Sequence, residues 1–137
     1  KAAVEEGSVI GGGAILVDIY NRLKGSLKDD DQDVQKGINI VLESLLMPSY
    51  QIAENAGYDG VEIVEKQKLA KTDEGFDAKT GQFVNMIKQG IIDPTKVTRN
   101  AVLNASSIAG MFITTEAAVV SIKEDKEPTP PMGAGMY

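Results

Sequence analysis

The segment Gly90-Ile91-Ile92-Asp93-Pro94-Thr95 begins the longest helix that this sequence predicts. Aspartate at the capping position and proline at the first helical residue are a strong helix start, because aspartate accepts hydrogen bonds from free N–H groups and proline has no N–H to leave unpaired. Apolar residues then recur at spacings of three and four as far as Ile113, with small residues between them. This pattern predicts a long central helix, buried in the core and closely approached by a neighbouring helix.

The sequence before this helix predicts a set of shorter helices. A helix ends at Gly7, and a buried helix runs from Ala14 towards Gly25. The acidic run at residues 29–33 precedes an amphipathic helix over residues 34–47 and is able to cap it. Pro48 must end or kink that helix. Two further short helices are predicted over residues 50–56 and from Asp59-Gly60 through residue 69.

Two segments predict β-structure instead. Aromatic-flanked segments around a turn closed by Gly81 are typical of a small β-hairpin over residues 76–84. The β-branched segment Ala117–Ile122 predicts a strand, and because an unpaired apolar edge is costly, that strand needs a partner from elsewhere. The expected fold class is therefore mainly α, a helical bundle with a small hairpin and a C-terminal strand.

Composition excludes several classes of function. The 137 residues suit one core, and 20 acidic against 14 basic residues give a net charge of −6, which disfavours nucleic acid and anionic membranes as partners. The absence of Cys and His removes disulfides, thiol nucleophiles, imidazole bases and the usual zinc ligands. With no apolar run of membrane-spanning length and no signal peptide, we expect a cytoplasmic protein. The missing initial Met and the uncapped first helix predict that the chain continues from something longer.

Four local features allow both a structural and a functional interpretation. The triplet Gly11-Gly12-Gly13 could bring backbone N–H groups to a ligand, but it lacks the Lys and Ser/Thr of a phosphate-binding loop, so the spacing favours close helix packing. Asp93 is by spacing a helix cap, and the hairpin tip is by default only a turn. The acidic run at residues 29–33 lacks the central Gly and closing Glu of a calcium loop, which favours a solvated loop.

The same motifs, in their order along the chain, resemble the C-terminal quarter of the group I chaperonins, the GroEL or sixty-kilodalton chaperonin family. The resemblance covers all 137 residues. The motifs that carry it are Ala2-Ala3-Val4-Glu5-Glu6-Gly7, Gly11-Gly12-Gly13, Gln51-Ile52-Ala53-Glu54-Asn55-Ala56-Gly57, Gly75-Phe76-Asp77-Ala78-Lys79-Thr80-Gly81, Gly90 through Arg99, Ala109-Gly110, Thr114-Thr115-Glu116-Ala117, and a tail rich in Pro and then in Gly and Met.

The resemblance implies a fragment of an ATP-dependent molecular chaperone that helps proteins to fold inside a double ring. Residues 1–7 would end a helix of the intermediate domain, residues 8–123 would form the second half of the equatorial domain, and residues 124–137 would be a disordered tail. The implied ligands are ATP or ADP with Mg²⁺. The implied partners are identical subunits in heptameric rings, a co-chaperonin and unfolded client proteins. The composition of the Gly- and Met-rich tail allows two interpretations, a flexible end with no role or an apolar segment that contacts unfolded clients.

The resemblance also assigns eight nucleotide-binding residues. Gly11 and Gly12 would approach the ribose and phosphates, Asp93 would accept hydrogen bonds from the ribose hydroxyls, Ile52 and Ile91 would contact the adenine, and Asp77, Ala78 and Lys79 of the hairpin tip would cover the edge of the base. Three positions depart from the usual pattern: Asp77 stands where Asn is common, Lys79 where a small residue is common, and Tyr50 where a basic residue is common. An ionised Asp only accepts hydrogen bonds, whereas Asn also donates them.

In that family the phosphate-binding loop, the Mg²⁺ ligands and the aspartate that positions the attacking water all precede the segment that Lys1 begins. The resemblance therefore assigns no catalytic or metal-ligating residue to this chain, and we expect the chain alone to hydrolyse no ATP. An autonomous helical oligomerisation or interaction module is the alternative. It would explain the small residues of the helix after Pro94, but not the combination of the glycine triplet with Asp93-Pro94.

Overall fold

A computed structural model describes residues 1–121, which form six α-helices and four short β-strands and confirm the mainly α class. In chain order these are α1 (Ala2–Glu6), β1 (Ser8–Ile10), α2 (Ala14–Leu23), α3 (Gln32–Ser44), α4 (Met47–Asn55), α5 (Gly60–Lys68), β2 (Glu74–Asp77), β3 (Gln82–Asn85), β4 (Ile92–Pro94) and α6 (Thr95–Ile113).

The main core lies between α2, α3, α4 and α5. Apolar residues at helical spacing on α2 contact the apolar faces of the other helices, and Val17 has no exposed surface. The buried members of this core are Leu16, Val17, Tyr20, Leu42, Leu45, Leu46 and Val64.

Local signals for the start of a helix are confirmed at two helices. Asp31 accepts hydrogen bonds from the N–H groups of Asp33 and Val34 at the start of α3. Asp59 accepts one from the N–H of Glu62 at the start of α5, at 3.0 Å. Both caps depend only on residues two or three positions away, which is why the sequence alone reveals them.

The predicted break at Pro48 is displaced. Helix α3 ends at Ser44 rather than Met47, and Pro48 lies in the first turn of α4, which begins at Met47 rather than Tyr50. Proline lacks an N–H and suits a helix start, so it belongs to the beginning of the later helix and not to the end of the earlier one.

Two antiparallel two-stranded sheets are present in residues 1–121. The predicted hairpin is confirmed: β2 pairs with β3 with Phe76 opposite Phe83. The other sheet pairs β1 with β4, and Val9 lies opposite Asp93. This second pairing was not predicted, because each strand has only three residues, too few for alternation of apolar and polar residues to be recognised.

The predicted cap of α6 is wrong. The capping position is occupied by Pro94, and no side chain there makes a capping hydrogen bond. Asp93 is instead part of β4, so the helix begins at Thr95, one residue later than predicted, and the N–H of Thr95 donates to the carbonyl of Gly7 at 3.1 Å. A long-range pairing has replaced the local cap.

The predicted burial of α6 is also wrong. The helix has the predicted length, but none of its residues is buried, and Val97 is 56% and Phe112 78% exposed. Its first turns contact α1 and β4, and Val102 packs on the main core, whereas the large apolar side chains from Leu103 to Ile113 are more than half exposed. Among the helices of residues 1–121, none is both long and apolar enough to cross a lipid bilayer.

The predicted C-terminal strand does not form in residues 117–121, the portion of it that the structure describes. Residues 117–121 have no regular secondary structure and are exposed, and neither sheet takes them as a third strand. A single strand without a partner has no ladder hydrogen bonds to hold it extended. Ile122, the last residue of the predicted strand, lies outside the described residues. The tail at residues 124–137, for which we predict disorder, lies outside them as well.

An apolar groove of about 810 Å³ lies between α2, α3 and α6. Its walls include Ile15 and Ile19 of α2, Ile38 and Val41 of α3, and Val102 and Leu103 of α6. The groove follows from the fold: α6 meets the main core at Val102, and beside this contact the apolar faces of α2, α3 and α6 border the same space.

Candidate functional site

The loop between β1 and α2 is built from the glycine triplet, and Gly11 connects it to the strand β4. The N–H of Gly11 donates to the carbonyl of Ile91 at 2.9 Å, which extends the β1–β4 pairing by one step. A Cβ at Gly11 would lie 3.2 Å from the oxygen of Ile91. The two backbones therefore approach to a distance that any side chain at Gly11 would hinder.

Gly12 and Gly13 allow two other segments to approach the same loop. Gly12 has φ 65°, and a Cβ there would lie 3.2 Å from Cε of Met86 and 3.8 Å from the carbonyl oxygen of Phe76, on the hairpin. Gly13 has φ 76°, and a Cβ there would lie 2.7 Å from the backbone nitrogen of Ser49, at the start of α4. The packing role that the sequence favours for the triplet is thus visible, and it brings together β4, the hairpin and α4.

Asp93 lies beside this loop with its carboxylate available. It is half-buried in β4, opposite Val9, and the structure of residues 1–121 gives its side chain no hydrogen bond and no ion pair. A carboxylate offers only acceptor oxygens, so it suits a ligand that presents O–H or N–H groups. The capping role, which was the structural interpretation of Asp93, is absent from this fold.

The two apolar residues predicted to contact adenine differ in their surroundings. Ile91 is half-buried and packs against the cluster formed by Ile10, Ala14 and Met86. Ile52 is 36% exposed on α4, one turn after Ser49, the residue that meets Gly13. Ile91 thus belongs partly to the core, whereas Ile52 presents apolar surface to solvent.

The hairpin tip is held together by Asp77. Its Oδ1 accepts a hydrogen bond from the N–H of Lys79 and its Oδ2 accepts one from the hydroxyl of Thr80, both at 2.9 Å. The Thr80 hydroxyl first, and then the Lys79 amide, lower the pKa of Asp77 below its ordinary value. Asp77 therefore stays ionised at neutral pH, and each of its oxygens already accepts a bond inside the turn.

Ala78 connects the tip to α4. Its side chain packs on the small cluster of Ala53, Ile63 and Phe76, and Ala53 is the neighbour of Ile52. Lys79 is exposed.

Of the eight predicted residues, Gly11, Ile91 and Asp93 are joined directly by strand pairing, while Ile52 and the tip are linked to them through Ser49 and Phe76. None of the eight lines the groove between α2, α3 and α6.

Two residues that support the site were missed by sequence reasoning. Gln67 is buried and bonded to the edge of β2, at the carbonyl of Glu74 and the N–H of Phe76. The ring of Tyr58 meets that of Phe76 edge-on at a centroid distance of 5.1 Å, and its hydroxyl lies against Gly81. Gln67 gives no signal in the sequence because it stands among the charged residues of α5. An aromatic residue beside a helix start, as at Tyr58, is a weak signal of packing.

Two ion pairs fix α1 on the start of α6, next to β4. Glu5 pairs with Lys96, and Glu6 accepts two hydrogen bonds from Arg99, at 3.1 and 2.7 Å. The hydrogen bond from Arg99, followed by the charges of Arg99 and Lys96, lowers the pKa of Glu6 below its ordinary value. These contacts hold the segment that leads into β1, and so into the glycine loop.

Comparison with known proteins gives consistent matches over nearly the whole chain. A sequence profile of the TCP-1/cpn60 chaperonin family matches residues 1–123. Chaperonin GroEL of Acholeplasma laidlawii is 60% identical over 134 residues, which is 96% of this chain and 25% of that protein. Chaperonin GroEL of Onion yellows phytoplasma is 57% identical over 127 residues, which is 93% of this chain and 24% of that protein.

Solved structures give the same result for the fold. A group III chaperonin in its open state aligns with a TM-score of 0.74 and 30% identity, covering 86% of this chain and 25% of that one. An open-state monomer of a group II chaperonin from Methanococcoides burtonii aligns with a TM-score of 0.71 and 25% identity, covering 79% of this chain and 28% of that one. The chain spans about a quarter of the length of the curated relatives it matches. On its sequence and its fold, the chain belongs to the TCP-1/cpn60 chaperonin family.

Proposed function

We propose that this chain supplies the nucleoside-binding half of a divided ATP site in a ring-forming chaperonin. The observation that carries the proposal is the carboxylate of Asp93, which is free of any partner within residues 1–121 and lies in the strand that pairs with β1, just before the glycine loop. Membership of the family suggests a nucleotide as the ligand. Because Asp93 caps no helix, binding a ligand would explain why this residue is an aspartate.

The chemistry of the available groups suits a nucleoside. Ribose hydroxyls donate hydrogen bonds, and Asp93 offers acceptor oxygens for them. Ile52 and Ile91 offer apolar surface for a base, and the backbone of Gly11 and Gly12 carries no side chain that would keep a ligand at a distance. Mg²⁺, which would neutralise charge on the phosphates, would be held by residues outside these eight, as would the attacking water.

For the longer protein we propose an ATP-dependent chaperone that assists folding within a double ring. Its partners would be identical subunits in rings of seven, a co-chaperonin and unfolded proteins, and its location the cytoplasm. Residues 8–123 would be the second half of the equatorial domain, and the first half would cover the groove between α2, α3 and α6. Residues 1–7 would be the end of an intermediate-domain helix. An autonomous oligomerisation module finds no support in the relatives.

The test is Asp93→Ala in the full-length protein, measured beside Asp59→Ala. Removing the acceptor of hydrogen bonds from ribose should weaken ATP binding by about 1.5 to 3 kcal/mol, because bonds to charged groups have that strength. Asp93 caps no helix, so the melting temperature should stay close to that of the parent. Asp59 does cap α5, so its loss should lower the melting temperature and leave ATP affinity unchanged. Unchanged ATP affinity in Asp93→Ala, measured by calorimetry, would refute the proposal.

A further inference from the structure

We propose that Gln67 is a positioning residue for the nucleotide site: its side-chain amide fixes the β2–β3 hairpin, and through the hairpin tip it controls recognition of the base. The inference rests on the proposed function. It concerns the base alone, because the hairpin is separate from the sheet that holds Asp93.

Gln67 takes the place of a neighbouring strand. It lies in the last turns of α5 with only 5% of its surface exposed. Its Nε2 donates to the carbonyl of Glu74 at 2.8 Å, and its Oε1 accepts from the N–H of Phe76 at 3.2 Å. A side-chain amide has the donor and the acceptor of a peptide group, so this one amide pairs with the edge of β2 as a third strand would.

The edge of β2 needs such a partner. Within the hairpin, β2 pairs with β3 on one side only, and the two groups that Gln67 binds point to the other side. Phe76 is buried, so its N–H has little access to water. A buried donor without a partner costs more than an ordinary hydrogen bond contributes. Removing the amide should therefore shift or loosen β2 relative to α5.

A shift of β2 reaches the tip within one residue. Asp77 follows Phe76 directly and holds the turn through Lys79 and Thr80. The carbonyl of Phe76 faces Gly12 at ordinary van der Waals distance and without a hydrogen bond, so a small shift of β2 leaves the glycine loop in place. The β1–β4 pairing, with Asp93, involves no residue of the hairpin. Gln67 should thus affect contacts with the base and leave contacts with the ribose in place.

The experiment compares two ligands in the full-length protein carrying Gln67→Met, which keeps the volume of the side chain and removes both hydrogen bonds. Affinity for ATP should fall by about tenfold, the effect of losing one to two ordinary hydrogen bonds. Affinity for ribose 5′-triphosphate, which has no base, should stay unchanged. A general loss of stability would lower both affinities together, so the ratio of the two identifies a positioning role.

Gln35→Met is the matched control. The side chain of Gln35 also bridges two backbone groups, accepting from the N–H of Asp29 at 2.9 Å and donating to the carbonyl of Leu27 at 3.4 Å, but on the loop before α3. Its loss should leave the ratio of affinities unchanged. An unchanged ratio in Gln67→Met, or an equal change in Gln35→Met, overturns the positioning role.

Asp93→Ala, measured with the same two ligands, separates this inference from the proposed function. If Asp93→Ala weakens both ligands and Gln67→Met leaves the ratio unchanged, the proposed function stands and the positioning role is wrong. If Asp93→Ala weakens neither, both are wrong. Should Gln67→Met fail to fold, Gln67→Glu replaces it, because that variant keeps an acceptor for Phe76 and loses the donor to Glu74. A smaller fall in the ratio is then expected, and no fall overturns the role.

Discussion

At the scale of single residues, the three consecutive glycines are not equivalent. Gly11 meets a strand, Gly12 a hairpin and Gly13 a helix, and the latter two also have left-handed backbones. Substitution at Gly12 would therefore strain the chain whether or not a nucleotide is bound. A loss of ATP binding at Gly12 does not by itself reveal contact with the ligand, whereas Asp93, which has neither restriction, gives a cleaner test.

Gly13→Ala should destabilise the 137-residue chain strongly. The new Cβ would lie 2.7 Å from the backbone nitrogen of Ser49, and backbone, unlike a side chain, has little freedom to move away. We expect a loss of about 2 to 4 kcal/mol, from overpacking and from the left-handed conformation together. Gly37→Ala is the control: a Cβ there meets nothing within 4 Å, so the helix propensity of alanine should raise stability by about 1 kcal/mol. Denaturant unfolding of both variants measures the difference, and equal midpoints would contradict the packing role.

At the scale of elements, α1 is held on α6 by charge, and this makes the contact sensitive to pH. The pKa of Glu6 is lowered in the folded state from 4.5, chiefly by the hydrogen bond from Arg99. A carboxylate whose pKa falls on folding adds stability above its unfolded pKa and loses it as the pH drops through the folded value. The contribution should thus be complete at neutral pH, begin to fall near pH 4.5 and be lost as the pH drops through the lower pKa of the folded state.

Unfolding measured from pH 7 to pH 3 tests this link. Glu6→Gln should flatten the decline of stability in the acid range, and Arg99→Gln should flatten it to the same extent. The double variant should then add nothing further, because both single changes remove one interaction. A decline that is as steep in Glu6→Gln as in the parent would show that other carboxylates cause it.

Elements defined by neighbouring residues were predictable, and those defined by distant ones were not. Asp31 and Asp59 cap helices through N–H groups two or three positions away, and Gly81 closes a turn between adjacent strands, so the sequence reveals all three. Asp93 also precedes a helix, as a capping aspartate does, but its pairing with Val9, 84 positions earlier in the chain, makes it part of a strand. The eight site residues came from resemblance, and spacing alone favoured structural roles for most of them.

At the scale of the whole molecule, a divided ATP site predicts that the 137-residue chain alone binds ATP weakly and does not hydrolyse it. Contacts with ribose and base would remain in the 137-residue chain, whereas those with metal and phosphates would be missing. If the remaining contacts supply about 4 kcal/mol, the dissociation constant for ATP is near millimolar. Calorimetry should give that value, and phosphate release should not exceed the background. Micromolar affinity, or turnover that an Asp93→Ala control abolishes, would contradict the division of the site.

The exposure of α6 has a consequence for any cell that makes this chain alone. From residue 100 to residue 115 there is no charged side chain, and Met111, Phe112 and Ile113 stand 64, 78 and 86% exposed. An uncovered apolar stretch of this kind is what quality-control factors recognise in proteins that have not finished folding, and it promotes aggregation when they are absent. The 137-residue chain made alone would therefore itself be treated as a misfolded protein.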